Sequence, residues 1–152
     1  SNITILGTNM TGFDTGPGNC LMDAWIMQKR KLFYDEFGEW ASSGTVHEPL
    51  LKCLKDDPFF RKSPPKSTGR EYFNLTWAEA KFDDLAELDE KDVQTTFCEL
   101  TATTIISEIE KSIGNIKRMM ENEAKKENFM QAAVLRDELF RYKKLLLEKF
   151  ED

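Results

Sequence analysis

The residues whose types and spacing come closest to chemistry are Gly12-Phe13-Asp14-Thr15-Gly16-Pro17-Gly18-Asn19. Asp14 stands where a short run of strand-forming residues ends, and glycine-containing turns carry the chain from it to a helix start. Glycines let backbone N–H groups approach an anion that bulkier side chains would hold off, and a helix N-terminus adds a favourable field. The spacing is neither a Walker loop nor a dinucleotide fingerprint, so it reads as a phosphate-binding turn or as an ordinary turn with Asn19 capping the helix. Other chemistry is thinly represented. Cys20, Cys53 and Cys98 form no CxxC pair and His47 is the single histidine, so neither a disulfide framework nor a zinc site is expected. The three cysteines read as small core residues and His47 as a helix-start or surface residue.

The elements that must position this turn can be read from composition. Asn2-Ile3-Thr4-Ile5-Leu6, ended by Gly7, predicts a strand, and Met10 to Asp14 its antiparallel partner. After Thr15-Gly16-Pro17-Gly18, the apolar positions Leu21, Ala24, Trp25 and Met27 predict a helix running to Gln28-Lys29-Arg30. All five prolines and seven of the eight glycines precede position 71. Lys31 to Arg70 should therefore be irregular, with one short helix near Glu48 to Lys55. Phe33, Tyr34, Phe37, Trp40, Phe59 and Phe60 are expected to pin that segment onto a core.

Further helices are predicted near Thr76–Leu85 and from about Glu90 onward. From Asp92 to Phe150 two antiparallel helices joined at Lys125-Lys126-Glu127-Asn128 are the natural reading, with Asn128 and Gln131 forming a capping-box-like start. Ile109, Ile113, Ile116, Met119, Met120 and Ala124 on the first should face Phe129, Ala132, Ala133, Leu135, Leu139, Tyr142 and Leu146 on the second. The fold class expected is α+β: a small N-terminal β element with packed helices, then an antiparallel helical hairpin.

The 152 residues can bury a core of their own, and the formal net charge is −6. Residues 1–106 hold 11 basic and 17 acidic side chains, residues 107–152 ten of each, so the whole excess lies in the first part. A globally acidic chain has no long-range attraction for nucleic acid. No stretch reaches the roughly 18 apolar residues of a membrane span, and the polar start does not read as a signal peptide. A cytoplasmic protein without membrane or direct nucleic-acid partners is expected.

Asn2-Ile3-Thr4-Ile5, Thr11 to Asn19 and Leu21-Met22-Asp23-Ala24-Trp25 closely resemble the middle of anhydro-N-acetylmuramic acid kinase, a sugar-kinase family of the actin/hexokinase superfamily. The resemblance continues through Tyr34-Asp35, Gly38, Trp40-Ala41-Ser42-Ser43-Gly44, Pro64 to Glu71 with Phe73-Asn74, Asp92 to Thr96, and Glu99-Leu100-Thr101. It covers residues 2–106 and implies a partial actin/hexokinase-like lobe over 1–106. It further implies ATP-dependent hydrolysis of 1,6-anhydro-N-acetylmuramic acid with phosphorylation of its 6-oxygen, in peptidoglycan recycling. Asp14 matches the position of the catalytic aspartate, the general base on water. Thr15, Gly16, Gly18 and Asn19 are the phosphate contacts that the resemblance points to, with ATP and Mg as cofactors and an amino sugar as substrate. Lys66, Ser67 and Arg70 line the sugar or phosphate side of the cleft on this reading, or form a solvated basic loop. The glycine-rich phosphate loop and the adenosine segment of the family are not found in these residues, so a truncated chain, incomplete for catalysis, is expected.

Ile116 to Glu121, Glu123-Ala124 and Asn128-Phe129-Met130-Gln131-Ala132-Ala133-Val134-Leu135-Arg136-Asp137-Glu138-Leu139 resemble the UVR motif, the helical hairpin of UvrB and UvrC. That resemblance spans 107–150 and implies an alternative function for 107–152: a protein-docking element that self-associates or binds another UVR-containing protein. Phe129, Ala133, Arg136, Asp137 and Leu139 would carry the contact, with Arg136 and Asp137 in interhelix or partner salt bridges.

Overall fold

The structure is a computed structural model; it describes residues 1–6 and 10–148, and within the last helix the side chains only as far as residue 144. Gly7, Leu146 as a side chain, and the helix end expected at Phe150 lie outside what is described. Two compact units result, Ser1–Ile106 and Ser107–Asp152. Among the described residues the structure is helical apart from one two-stranded antiparallel sheet.

In the first unit β1 (Asn2–Ile5) pairs with β2 (Thr11–Asp14) in the register Asn2↔Asp14 and Ile3↔Phe13. This puts Asp14 at the end of the ladder. Helix α1 (Cys20–Arg30) follows, with Asp23 in its first turn and Lys29 and Arg30 in its last, which suits the helix dipole at both ends. Lys31, in the left-handed region at φ 60°, ends it. Asn19 does not cap it as predicted. Its backbone is helical, at φ −81° and ψ −10°, rather than extended, and its side chain makes no capping bond. Leu21, Trp25 and Ile26 are the buried positions of this helix, whereas Met27 is exposed.

Lys31 to Arg70 is more ordered than its composition predicts. Besides α3 (Glu48–Lys55) it holds α2 (Glu39–Ser42) and α4 (Pro58–Arg61), single turns started by nearby carboxylates. Asp35 accepts from the Trp40 and Ala41 N–H groups at 2.9 and 2.8 Å, and Asp57 from the Phe59 N–H at 2.9 Å. His47 is the cap of α3, its Nδ1 accepting from the Leu50 N–H at 3.2 Å. Trp40 and Phe59 are buried and Phe60 is half-buried, as anchors should be. Phe33, Tyr34 and Phe37 are not anchors; Phe37 is 93% exposed. Asp35 already holds this loop through polar bonds, and Phe37 sits in the left-handed region at φ 53°.

Helix α5 (Leu75–Lys81), capped by Asn74, stops short of Leu85, and a 3-10 turn at Asp83–Glu87 carries Leu85 into the core. Helix α6 (Glu90–Lys125) passes Gly114 without a break. The core of the first unit packs Leu21, Trp25, Ile26, Trp40, Leu50, Leu54, Ala78 and Leu85 against Val93, Phe97 and Leu100 of α6. Trp25 meets Phe97 edge-on at 6.2 Å. Cys98, one helical step away, is exposed and is not a core residue, while Cys20 and Cys53 are half-buried.

The second unit is the end of α6 and α7 (Phe129–Glu148). Ile116, Leu135 and Leu139 are its buried residues, with Ile113, Met120 and Tyr142 packed against them. Met119, Ala124 and Phe129 are exposed. Of the two adjacent methionines expected on the stripe, Met120, four residues from Ile116, faces the core and Met119 does not, and Phe129 sits on the first turn before the stripe begins. No helix among the described residues is long and apolar enough to cross a membrane.

Candidate functional site

Asp14 leaves the sheet and meets the loop after Pro64-Pro65. Its N–H donates to the Lys66 carbonyl at 3.0 Å, and its Oδ2 accepts from Ser67 Oγ at 3.0 Å and from the Thr68 N–H at 2.8 Å. The carboxylate opens on a hollow of about 450 Å³, together with Gly16, Pro17, Gly18, Asn19, Thr68 and Arg70.

The turn is built so that its carbonyls point into protein. The Gly16 carbonyl accepts from the Ser1 amino group at 2.9 Å, and the Pro17 carbonyl from Cys20 Sγ at 2.9 Å. The Gly18 carbonyl takes the Thr101 hydroxyl at 2.8 Å. Among the described residues the N–H groups of Gly16, Gly18 and Asn19 make no hydrogen bond to protein. Gly18 is left-handed at φ +60°, and a Cβ there would sit 2.8 Å from the Ser1 nitrogen. Glycine alone meets both demands. A run of free amides beside a helix start is an anion-binding concavity.

Thr15 differs from the other predicted phosphate contacts. It is fully buried, its N–H donates to the Ser1 carbonyl, and its hydroxyl lies 2.6 Å from Ser1 Oγ, so it supports the turn without lining the hollow. The predicted cleft residues also divide. Arg70 lines the hollow and is the cationic side chain among its walls. Ser67 is on Asp14 itself. Lys66 is no solvated loop residue: it is 7% exposed, with Nζ 5.0 Å over the Phe59 ring.

Several residues that the sequence reading passed over are brought in. Asp23 and Cys20, three apart on the first turn of α1, line the hollow with Phe73, Thr101 and Ile105. Burial pushes the Asp23 carboxyl up, and the Arg70 guanidinium pulls it back. Burial likewise raises the Cys20 thiol, which donates to the Pro17 and Phe73 carbonyls. The i, i+3 spacing of Cys20 and Asp23 was legible; that both would turn toward Arg70 was not.

Behind the site stands Asp57, 2% exposed. Tyr72 Oη and Trp77 Nε1 donate to it at 2.8 and 3.0 Å, and Lys81 Nζ lies 3.0 Å away. Burial pushes this carboxyl up, but the Phe59 N–H, Trp77, Tyr72 and Lys81 together hold it below the usual carboxylate value. Asp57 thereby fixes the cluster of Phe59, Phe60, Tyr72, Phe73 and Trp77, of which Phe73 lines the hollow and Phe59 lies against Lys66.

Of the residues expected to dock a partner in the hairpin, Phe129 is exposed, Ala133 is half-buried and Leu139 is buried within the unit. Arg136 and Asp137 do not reach across to another helix: Arg136 Nε and Nη2 donate to Asp137 Oδ1 at 3.0 and 2.8 Å. The long guanidinium arm reaches back to its neighbour although the two Cβ directions diverge.

Gly16, Gly18 and Asn19, whose amides are unbonded among the described residues, line one hollow with Arg70 and Asp14, a set that suits a phosphate-bearing ligand. No group of three or more His, Cys, Asp or Glu side chains able to hold a metal occurs among the described residues.

The family model described as anhydro-N-acetylmuramic acid kinase matches residues 1–143. The anhydro-N-acetylmuramic acid kinase of Pseudomonas fluorescens is 47% identical over 122 residues, 79% of this chain and 34% of the relative. That of Photobacterium profundum is 50% identical over 111 residues, 72% of this chain and 29% of the relative. That of a Sulfurovum species is 47% identical over 110 residues, 72% of this chain and 31% of the relative. The chain thus spans about a third of the length of these curated relatives. All three bear the kinase name, and the UVR reading of residues 107–150 rests on its sequence resemblance alone. With the matched segment running through the aspartate, the glycine turn and the Lys66–Arg70 loop, the chain belongs to the anhydro-N-acetylmuramic acid kinase family.

Proposed function

We propose that residues 1–106 are part of a sugar-kinase lobe that supplies the general base and a phosphate cradle for converting 1,6-anhydro-N-acetylmuramic acid to its 6-phosphate. The remaining walls of such a cleft belong to parts of the family beyond these residues. Mg-ATP, when bound, supplies the transferred phosphoryl group. Asp14 takes a proton from the water that attacks the anomeric carbon. The C1–O6 ether bond breaks and its electron pair stays on O6, which accepts the phosphoryl group as the bond from the γ-phosphorus to the β–γ bridging oxygen breaks and ADP leaves. The amides of Gly16, Gly18 and Asn19, with Arg70, hold the negative charge of the phosphoryl group. The observation that carries this reading is the arrangement of the turn: carbonyls bonded into protein, amides left open, and a carboxylate at the same hollow.

Titration calorimetry of the 152-residue chain tests it. Saturable heat is expected with Mg-ATP or the anhydro sugar at millimolar concentration, and Gly18→Val should abolish the nucleotide signal. No heat with either ligand would overturn the reading.

A further inference from the structure

Resting on that reading, we infer that Ser67 and the Thr68 N–H are positioning groups that assign the two oxygens of Asp14 different tasks. Both donors converge on Oδ2, and among the described residues Oδ1 accepts no hydrogen bond. The doubly bonded oxygen has its charge spread over two donors and becomes the handle. Oδ1 keeps its lone pairs for the water. A third bond, from the Asp14 N–H to the Lys66 carbonyl, joins the same two segments, so backbone and side chain of Asp14 are fixed by one stretch of three residues.

That stretch is itself held. Lys66 lies buried over Phe59, Phe59 packs on Tyr72 and Phe73, and Asp57 ties Tyr72, Trp77 and the Phe59 N–H together. A side chain clamped from a supported loop presents its free oxygen in one direction, and a fixed direction is what general-base catalysis on a single water requires. The clamp also explains what Asp14→Asn would do. The amide oxygen would remain on the two donors, and an NH₂ group would face the hollow where the base belongs.

The clamp is tested on the full chain by two readouts. By NMR hydrogen exchange, the Thr68 amide should be slowed in the wild type. It should exchange at least tenfold faster in Asp14→Ala, while the amides of α1 keep their rates; equal Thr68 rates in both proteins would overturn the clamp. In an assay of 6-phosphate formation, Ser67→Ala should lower kcat about tenfold with KM for the sugar unchanged, and Ser67→Thr should restore it. A raised KM with kcat kept, or no change at all, would overturn the positioning role. Absence of turnover in the wild-type chain is the outcome expected of a lobe without the rest of its cleft, and the exchange data then decide the clamp by themselves.

Discussion

Asp14 and Asn128 are both polar residues at a joint between two elements, and they are held in different ways. Asp14 is bonded to Ser67 and Thr68, which lie 53 and 54 residues away. Asn128 finds its partners within five residues. Its N–H and side chain bond to Glu123, its Oδ1 receives the Gln131 N–H at 3.4 Å, and its carbonyl takes the Ala132 N–H. The same contrast runs through the two units. The first ties buried polar groups such as Asp57 and Thr15 to distant segments, whereas the second unit rests on three buried apolar side chains and short-range ion pairs, its one buried carboxylate, Glu108, included among them through Lys111. A site that must hold one carboxylate in one direction draws on distant segments, because local turns cannot supply donors from a second side. A hairpin needs only its period.

The largest effect is expected at Asp57. Asp57→Ala leaves Tyr72, Trp77 and Lys81 without their shared acceptor and should cost about 3–5 kcal/mol, read by urea unfolding. A loss comparable to that of an exposed carboxylate would erase the contrast drawn here. The same group sets a pH dependence. Its folded value lies below the ordinary 3.8, so its stabilisation is complete above that value and is lost as pH falls through the folded value. The urea midpoint should therefore drop as pH falls below 3.8 and through the lower folded value, and that part of the drop should be absent in Asp57→Asn.

In the hairpin, Leu139→Ala removes one of the three buried side chains and should cost roughly 2 kcal/mol, near the low end for such truncations because a thin core closes around the gap. Trp25, Trp40 and Trp77 all lie in the first unit, so their fluorescence should stay unchanged while helical circular dichroism falls on heating. A shift in tryptophan emission would mean that the two units share stability. The smallest effect is at the joint itself. Asn128→Ala should cost about 0.5–1 kcal/mol, the usual value of a helix cap, seen as a fall of a few degrees or less in the hairpin's melting temperature.

Much of the scaffold was legible. The strand pair followed from a β-branched run and its partner, the structure adding the register Ile3↔Phe13, and α3 lies where a short helix near Glu48 to Lys55 is expected. The hairpin stripe from Ile113 to Tyr142 followed from three- and four-residue steps. What misled was context. By type Phe37 reads as an anchor and Lys66 as a cleft-lining or solvated residue, and the fold exchanges their places: the aromatic ring stands in solvent and the lysine is buried against an aromatic ring. Asp35 and Asp57 gave no signal, because a carboxylate that starts a four-residue turn looks in sequence like any other loop residue.

By itself, then, the sequence determined the elements that depend on neighbours: the strand pair, the glycine turn, the helical periods and the family to which they belong. Only the tertiary structure decided which side chains converge on Asp14, that Thr15 supports the turn from behind, and that Asp23 and Arg70 share one hollow. The reason is physical. Backbone preference and periodicity act over a few residues, whereas burial and hydrogen bonding between segments 50 residues apart exist only once the chain has closed.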